Sequence, residues 1–108
     1  MFLFSEPSED EIRQFLARQA ASRFSYSAVG ATAEDVTPRG FKADHNRIQL
    51  GSGELVWKRA VAAVNSWRMF QLGWTCLYWP DAPIAMGTNV AVLVRHFGFW
   101  SLNACRVV

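Results

Sequence analysis

Residues 50–74 read LGSGELVWKRAVAAVNSWRMFQLGW, a glycine-rich turn followed by a helical pattern. Gly51 and Gly53 are typical of a turn that leaves a strand, and Ser52 can cap the helix that follows. Apolar residues then recur at the period of a helix, in two adjacent rows. The rows are Val56, Ala60, Ala63 and Trp67, and Trp57, Val61 and Val64. Such a broad apolar stripe predicts a helix with one wide buried face, which we expect to pack against a sheet.

A second helix is predicted near the N-terminus. Ser8 and Glu11 have the spacing of a capping box, and the acidic residues around them lie at the positive end of the helix dipole. Ile12, Phe15 and Leu16 form one apolar stripe behind this cap. We therefore expect a helix over roughly residues 9–21.

Four strands are predicted around these helices. They comprise residues 41–50, 74–79, 89–97 and 102–108. The first delivers the chain to the helix after Gly53, and the second ends at the prolines of the Pro80–Pro83 segment. The last two are separated by Gly98, which predicts an antiparallel hairpin. The predicted fold class is therefore α+β, an antiparallel sheet packed with helices.

The composition predicts a single domain over residues 1–108 and excludes several functional classes. The chain is 51% apolar, which is enough for a core, and its net charge is only +2. Without a basic run or stripe, nucleic-acid binding has little support, and we expect no nucleic-acid partner. No apolar run approaches the roughly 18 residues of a membrane span, and the N-terminus lacks the features of a signal peptide, so we expect a cytoplasmic protein.

Cofactor and metal motifs are missing from the sequence. Cys76 and Cys105 lie too far apart to form a metal or redox motif, and we expect both to be buried free thiols. The turn before the central helix lacks the third glycine of a dinucleotide fingerprint, because Val56 stands in its place. We therefore predict no metal and no cofactor.

Several short blocks, spread over nearly the whole chain, carry a family resemblance. They are Phe24-Ser25-Tyr26, Val29-Gly30-Ala31-Thr32, Gly51-Ser52-Gly53-Glu54, Trp67-Arg68-Met69-Phe70, Gly73-Trp74, Trp100-Ser101-Leu102-Asn103 and Cys105-Arg106-Val107-Val108. In this order they resemble uncharacterised protein family 0548, a bacterial and plant family with a domain of unknown function. Ser27 and Ala104 depart from the family, where proline is expected, and this difference affects local rigidity only.

The resemblance implies that family members continue well beyond the position of Val108. On that basis the chain is the N-terminal part of a longer domain, shortened at its C-terminus, and it lacks further strands and a C-terminal helix. An apolar sheet face and a strand edge would then be uncovered, so an oligomer or an aggregation-prone chain is expected.

The order of elements is also similar, more distantly, to the helix-grip fold of Bet v 1 and START-like proteins. The similarity lies in a strand, a helix that ends in tryptophan, and successive antiparallel strands. It implies a curved sheet wrapped around a long C-terminal helix and an apolar cavity. The chain would form a half or fragment of that fold.

The candidate ligand-binding residues follow from this analogy and from the distribution of aromatic residues. They are Trp67, Arg68, Trp74, Trp79, Val92, Arg95, His96 and Trp100. Four of the eight are tryptophans near the ends of predicted elements, where a curved sheet would open onto a cavity, although aromatic residues at such positions more often belong to the core. Arg68 could pair with Asp81 or satisfy the last carbonyls of its helix. His45 and His96 have no evident nucleophile partner, so no catalytic residue is assigned.

Three functions are compatible with this sequence. The first is a domain that binds a small apolar molecule in a helix-grip cavity. The second is an enzyme of the cyclase or hydrolase kind found among helix-grip proteins, and the third is a structural or protein-interaction domain without a ligand. A closed cavity with a lone charged pair would favour the enzyme, an apolar pocket would favour binding, and an exposed aromatic patch would favour interaction.

Overall fold

The computed structural model describes residues 1–108, which form a four-stranded antiparallel sheet and two α-helices. The strands are β1 (Phe2–Leu3), β2 (Thr75–Tyr78), β3 (Asn89–Arg95) and β4 (Trp100–Arg106). The α-helices are α1 (Glu9–Ala20) and α2 (Glu54–Asn65), and a short 3-10 helix follows at Arg68–Phe70. The predicted α+β class and antiparallel sheet are confirmed.

The sheet is built around the hairpin of β3 and β4, with strand order β1-β4-β3-β2. Leu93 lies opposite Leu102 in this hairpin, and Val90 lies opposite Cys105. The alternation of β-branched residues in β3 suits a central strand, because both faces of such a strand are covered. β1 was not predicted: only two residues pair, with Phe2 opposite Ser101, and this is too short a signal to find in sequence.

Helix α1 forms where the sequence predicts it and covers one face of the sheet. The Ser8 hydroxyl accepts the Glu11 backbone N–H, and the Glu11 carboxylate accepts the Ser8 N–H at 2.8 Å, which completes the capping box. These hydrogen bonds from Ser8 lower the pKa of the Glu11 carboxyl from its ordinary value. The apolar stripe of α1 lies on the core residues of β3 and β4. Together they form a cluster of Ile12, Phe15, Leu16, Ala91, Leu93 and Leu102.

The prediction for α2 is wrong in its packing, although the helix itself forms. None of its residues is buried, and its principal contact is with the 3-10 helix rather than the sheet. Val56, Ala60 and Ala63 are half-buried, whereas the neighbouring row with Trp57 is exposed. The apolar periodicity of a helix shows that it has a partner face but does not say which surface meets it.

The predicted strand at residues 41–50 is also wrong. Residues 21–53 contain no helix and no strand, and all of residues 41–50 are exposed. The alternation of side chains in this segment was a weak signal, because a strand needs a partner edge to hydrogen-bond and none lies beside it.

The second face of the sheet, which we define as the face turned away from α1, is partly covered by the 3-10 helix. Val90 and Val92 point to this face and are buried, since they alternate with the core residues Ala91 and Leu93. The Thr75 hydroxyl, opposite Val94 on the same face, donates to the Phe70 carbonyl.

None of the helices is long and apolar enough to cross a bilayer.

Candidate functional site

Trp67 is the predicted site residue whose side chain is held by burial, a hydrogen bond and an aromatic contact together. It follows the last turn of α2 in a left-handed conformation, with φ of 57°, which turns the chain into the 3-10 helix. Its side chain is 7% exposed, and its indole N–H donates to the Ala82 carbonyl at 2.7 Å. The ring also lies 6.1 Å from that of Phe70. Trp67 is therefore buried as expected, but it packs among loop segments and not at the end of a helix that lies on the sheet.

The other predicted residues are divided between the two faces of the sheet. Val92 and His96 belong to the second face. Arg95 and Trp100 are paired in register on the opposite face, where Trp100 packs against the α1 core. The backbone N–H of Arg95 donates to the carbonyl of Trp74 at 2.9 Å, which places Trp74 just before the start of β2 with its ring about half exposed. No single cavity is lined by these residues.

Trp79 and the adjacent Tyr78 lie on the α1 side of the molecule. The Arg13 guanidinium stacks over the Trp79 ring at 4.2 Å from its centre, a cation–π contact. Burial next to the core raises the pKa of the Tyr78 hydroxyl above its ordinary value. These contacts account for Trp79 as part of the α1 packing.

The pairing of Arg68 with Asp81, one of the two roles considered for this arginine, does not form. The ion pairs are Arg13 with Glu9 and Lys58 with Glu54, both within helices and both exposed. Arg68 is itself exposed. The 3-10 helix and β2 lie between Arg68 and Asp81 in the chain, so sequence proximity alone could not bring the two charges together.

The structure reveals a histidine–serine pair that the sequence did not suggest. His96 Nε2 and Ser101 Oγ lie 2.9 Å apart, across the turn that joins β3 to β4. The imidazole also stacks on Phe99, with ring centres 4.4 Å apart and planes 9° apart. Ser101 is buried and His96 is exposed. The hairpin register, which brings residues five apart in sequence to one face, is the signal that would have found this pair.

A cleft of about 800 Å³ lies in the irregular part of the chain, between residues 26 and 47, with Val108 at its margin. Tyr26, Val36 and Phe41 supply apolar surface, and Lys42 and Arg47 supply positive charge. Two acidic residues, Asp35 and Asp44, also line it, together with His45. None of the eight predicted ligand-binding residues lies here, because the prediction placed the site beside the sheet.

The cysteines are not buried as predicted. Cys76 and Cys105 are both free and exposed. They lie in β2 and β4, the two strands that flank β3, and neither has a sulfur partner. No group of three or more histidine, cysteine or acidic side chains is arranged to hold a metal ion.

Comparison with known proteins identifies relatives over nearly the whole chain. A family model described as a domain of unknown function (DUF1990) matches residues 25–108. A protein of Dictyostelium discoideum named UPF0548 protein is 34% identical over 99% of this chain and 54% of its own length. A UPF0548 protein of Deinococcus radiodurans is 34% identical over 93% of this chain and 52% of its own length.

A third relative, the UPF0548 protein At2g17695 of Arabidopsis thaliana, is 19% identical over 97% of this chain and 55% of its own length. The family is thus wider than the bacterial and plant group expected, since it includes a protein of Dictyostelium. This chain spans about half the length of the curated relatives it matches. No solved structure matches it. The chain belongs to the family of this domain of unknown function (DUF1990), whose model matches residues 25–108, and it is similar to the UPF0548 proteins over nearly its whole length.

Proposed function

We propose that this chain binds a small, mainly apolar molecule in the cleft between residues 26 and 47. The observation that carries the proposal is the cleft itself, whose volume of about 800 Å³ is typical of small-molecule sites. Apolar side chains on its walls would remove the body of a ligand from water. The charged side chains on its lining would hold one polar group of the ligand.

The ligand is best described as a flat apolar body with one polar group. The rings of Tyr26 and Phe41 offer apolar contact, and Phe24 lies next to Tyr26 with ring centres 5.8 Å apart. Lys42 and Arg47 suit a carboxylate or phosphate, whereas the neighbouring Asp44 disfavours a second negative group. This lining is more polar than that of the apolar cavity implied by the helix-grip resemblance.

The second face of the sheet is the alternative location for the same class of ligand. In a helix-grip arrangement the cavity adjoins the concave face of the sheet, where Val92 and His96 would line it together with Trp67. The two locations differ in one observable. Ligand at the second face would change tryptophan emission, whereas no tryptophan lines the cleft between residues 26 and 47.

Replacing Phe41 by serine is expected to weaken ligand binding about tenfold or more, because an apolar contact worth on the order of 1.5–3 kcal/mol would be lost. We would titrate a panel of flat apolar carboxylates by calorimetry and follow the backbone amides of residues 26–47 by NMR. Phe97→Ser is the matched control, since Phe97 is fully exposed and lies outside the cleft. Equal losses in the two variants, or no binding to the folded protein, would contradict the proposal.

A second candidate is acyl transfer, which the pair of His96 and Ser101 favours. In that reaction Ser101 Oγ would attack an ester carbonyl, and His96 Nε2 would accept the hydroxyl proton and return it to the leaving alcohol. A fluorophosphonate probe is expected to label Ser101 in the unaltered chain and not in His96→Gln, as read by mass spectrometry. If labelling is absent, or the same in both proteins, the hydrogen bond only fastens the hairpin.

A further inference from the structure

Helix α2 carries an apolar row that nothing in the chain covers. Trp57, Val61 and Val64 stand at positions i, i+4 and i+7, so they lie along one side of the helix. They are 69%, 38% and 49% exposed, respectively. We call these three residues the α2 row. The ion pair of Lys58 with Glu54 at 2.7 Å borders this row, because Glu54 stands one turn before Trp57 and Lys58 one turn before Val61.

The molecule as a whole is more open than a self-sufficient domain of its length. Its radius of gyration is 16.1 Å, whereas a compact domain of this length has about 13 Å. Only ten of its 108 residues are buried. The exposed α2 row therefore belongs to a chain in which few residues are buried. It is more than a single exposed apolar side chain of the kind found on every protein.

The relatives contain additional sequence that could cover the α2 row. Each of the three curated relatives matches this chain over only 52–55% of its own length, so each holds nearly as much sequence again. We propose that the α2 row is the docking site for a polypeptide homologous to the part of these relatives that this chain does not match.

The chemistry of the α2 row suits a polypeptide partner. A tryptophan followed by two valines one and two turns along the helix presents a continuous ridge, which packs into the groove of a second apolar helix or onto the face of a sheet. Trp57 supplies the large aromatic anchor typical of residues that dominate binding energy. The row carries no charge, so its burial leaves no unpaired ion.

The test is co-expression of tagged residues 1–108 with the unmatched part of the Deinococcus radiodurans relative. The full-length relative is prepared in parallel, to establish that it is soluble and folded. We expect the two polypeptides to co-purify one to one. The α2 row is expected to exchange its amide hydrogens more slowly in the complex than in the chain alone.

Two matched variants decide whether the α2 row makes the contact. Val61→Asp should weaken the complex about tenfold or more, since it places a charge in a dry contact. Ala62→Asp introduces the same side chain one position along the same helix, outside the row, and should leave the affinity unchanged. Circular dichroism on each variant checks that the helices remain.

Three outcomes would overturn the inference. One is failure to co-purify when the full-length relative is soluble and folded. Another is a complex that Val61→Asp and Ala62→Asp weaken equally. The third is a homodimer of residues 1–108 that Val61→Asp dissociates in sedimentation, because a second copy would then be the occupant of the α2 row.

Discussion

Trp67→Ala is expected to lower the free energy of unfolding by about 3–5 kcal/mol, the range found for buried tryptophan. The side chain is one of the ten buried in this chain. Its removal would leave a cavity and would also leave the Ala82 carbonyl without the indole N–H that it accepts at 2.7 Å. The aromatic contact with Phe70 would be lost as well.

Urea denaturation followed by far-UV circular dichroism would measure this loss. Trp57→Ala is the matched control, because Trp57 is 69% exposed and should cost about 0.5 kcal/mol or less. Trp67→Phe separates the contributions, since it keeps an aromatic ring and removes the N–H. We expect it to cost about 0.5–1.5 kcal/mol, the net contribution of a typical hydrogen bond, because Ala82 is only half-buried. A loss below about 1 kcal/mol for Trp67→Ala would show that the residue does not fix its surroundings.

Arg106→Ala is expected to lower the free energy of unfolding by about 2–4 kcal/mol, since hydrogen bonds to a charged donor contribute more than neutral ones. Its Nη2 donates to the carbonyls of Gln19 and Ala20 in the last turn of α1 and of Ser22 just beyond it, at distances between 2.9 and 3.3 Å. Its Nε donates to Asn89 Oδ1 at 2.9 Å. The guanidinium also lies over the Phe24 ring at 5.0 Å. One side chain thus joins α1, β3 and β4.

Thermal and urea unfolding of Arg106→Ala and Arg106→Lys would test this role. The lysine ammonium keeps the charge near the negative end of the helix dipole, but it cannot donate both to the carbonyls near the end of α1 and to Asn89. We therefore expect Arg106→Lys to restore less than half of the stability that Arg106→Ala loses. Arg39→Ala is the control, because Arg39 is exposed and makes no side-chain hydrogen bond or ion pair. Equal effects at positions 39 and 106 would mean that the Arg106 contacts contribute nothing to stability.

The Arg106 anchor could not be predicted from the sequence, and the pair of His96 with Ser101 required the register of the hairpin as well as its existence. Arg106 reaches carbonyls that are more than eighty positions away in the chain. Backbone carbonyls carry no sequence signature, so a contact of this kind is visible only when the helix end and the strand end are both in place. The candidate cleft was missed for a related reason: it is formed by irregular chain, whose path depends on contacts and not on a repeating pattern.

What the sequence determined by itself was local. The capping box at Ser8 and the stripe behind it specified α1, because both act within a few turns of helix. The apolar run of β3 and the turn at Gly98 specified the central hairpin in the same way. Tertiary structure decided which surface α2 meets, that residues 41–50 form no strand, and how the eight candidate residues divide between the faces of the sheet. Those outcomes depend on the pairing of distant segments, and periodicity fixes only which side of an element is apolar, not the surface that covers it.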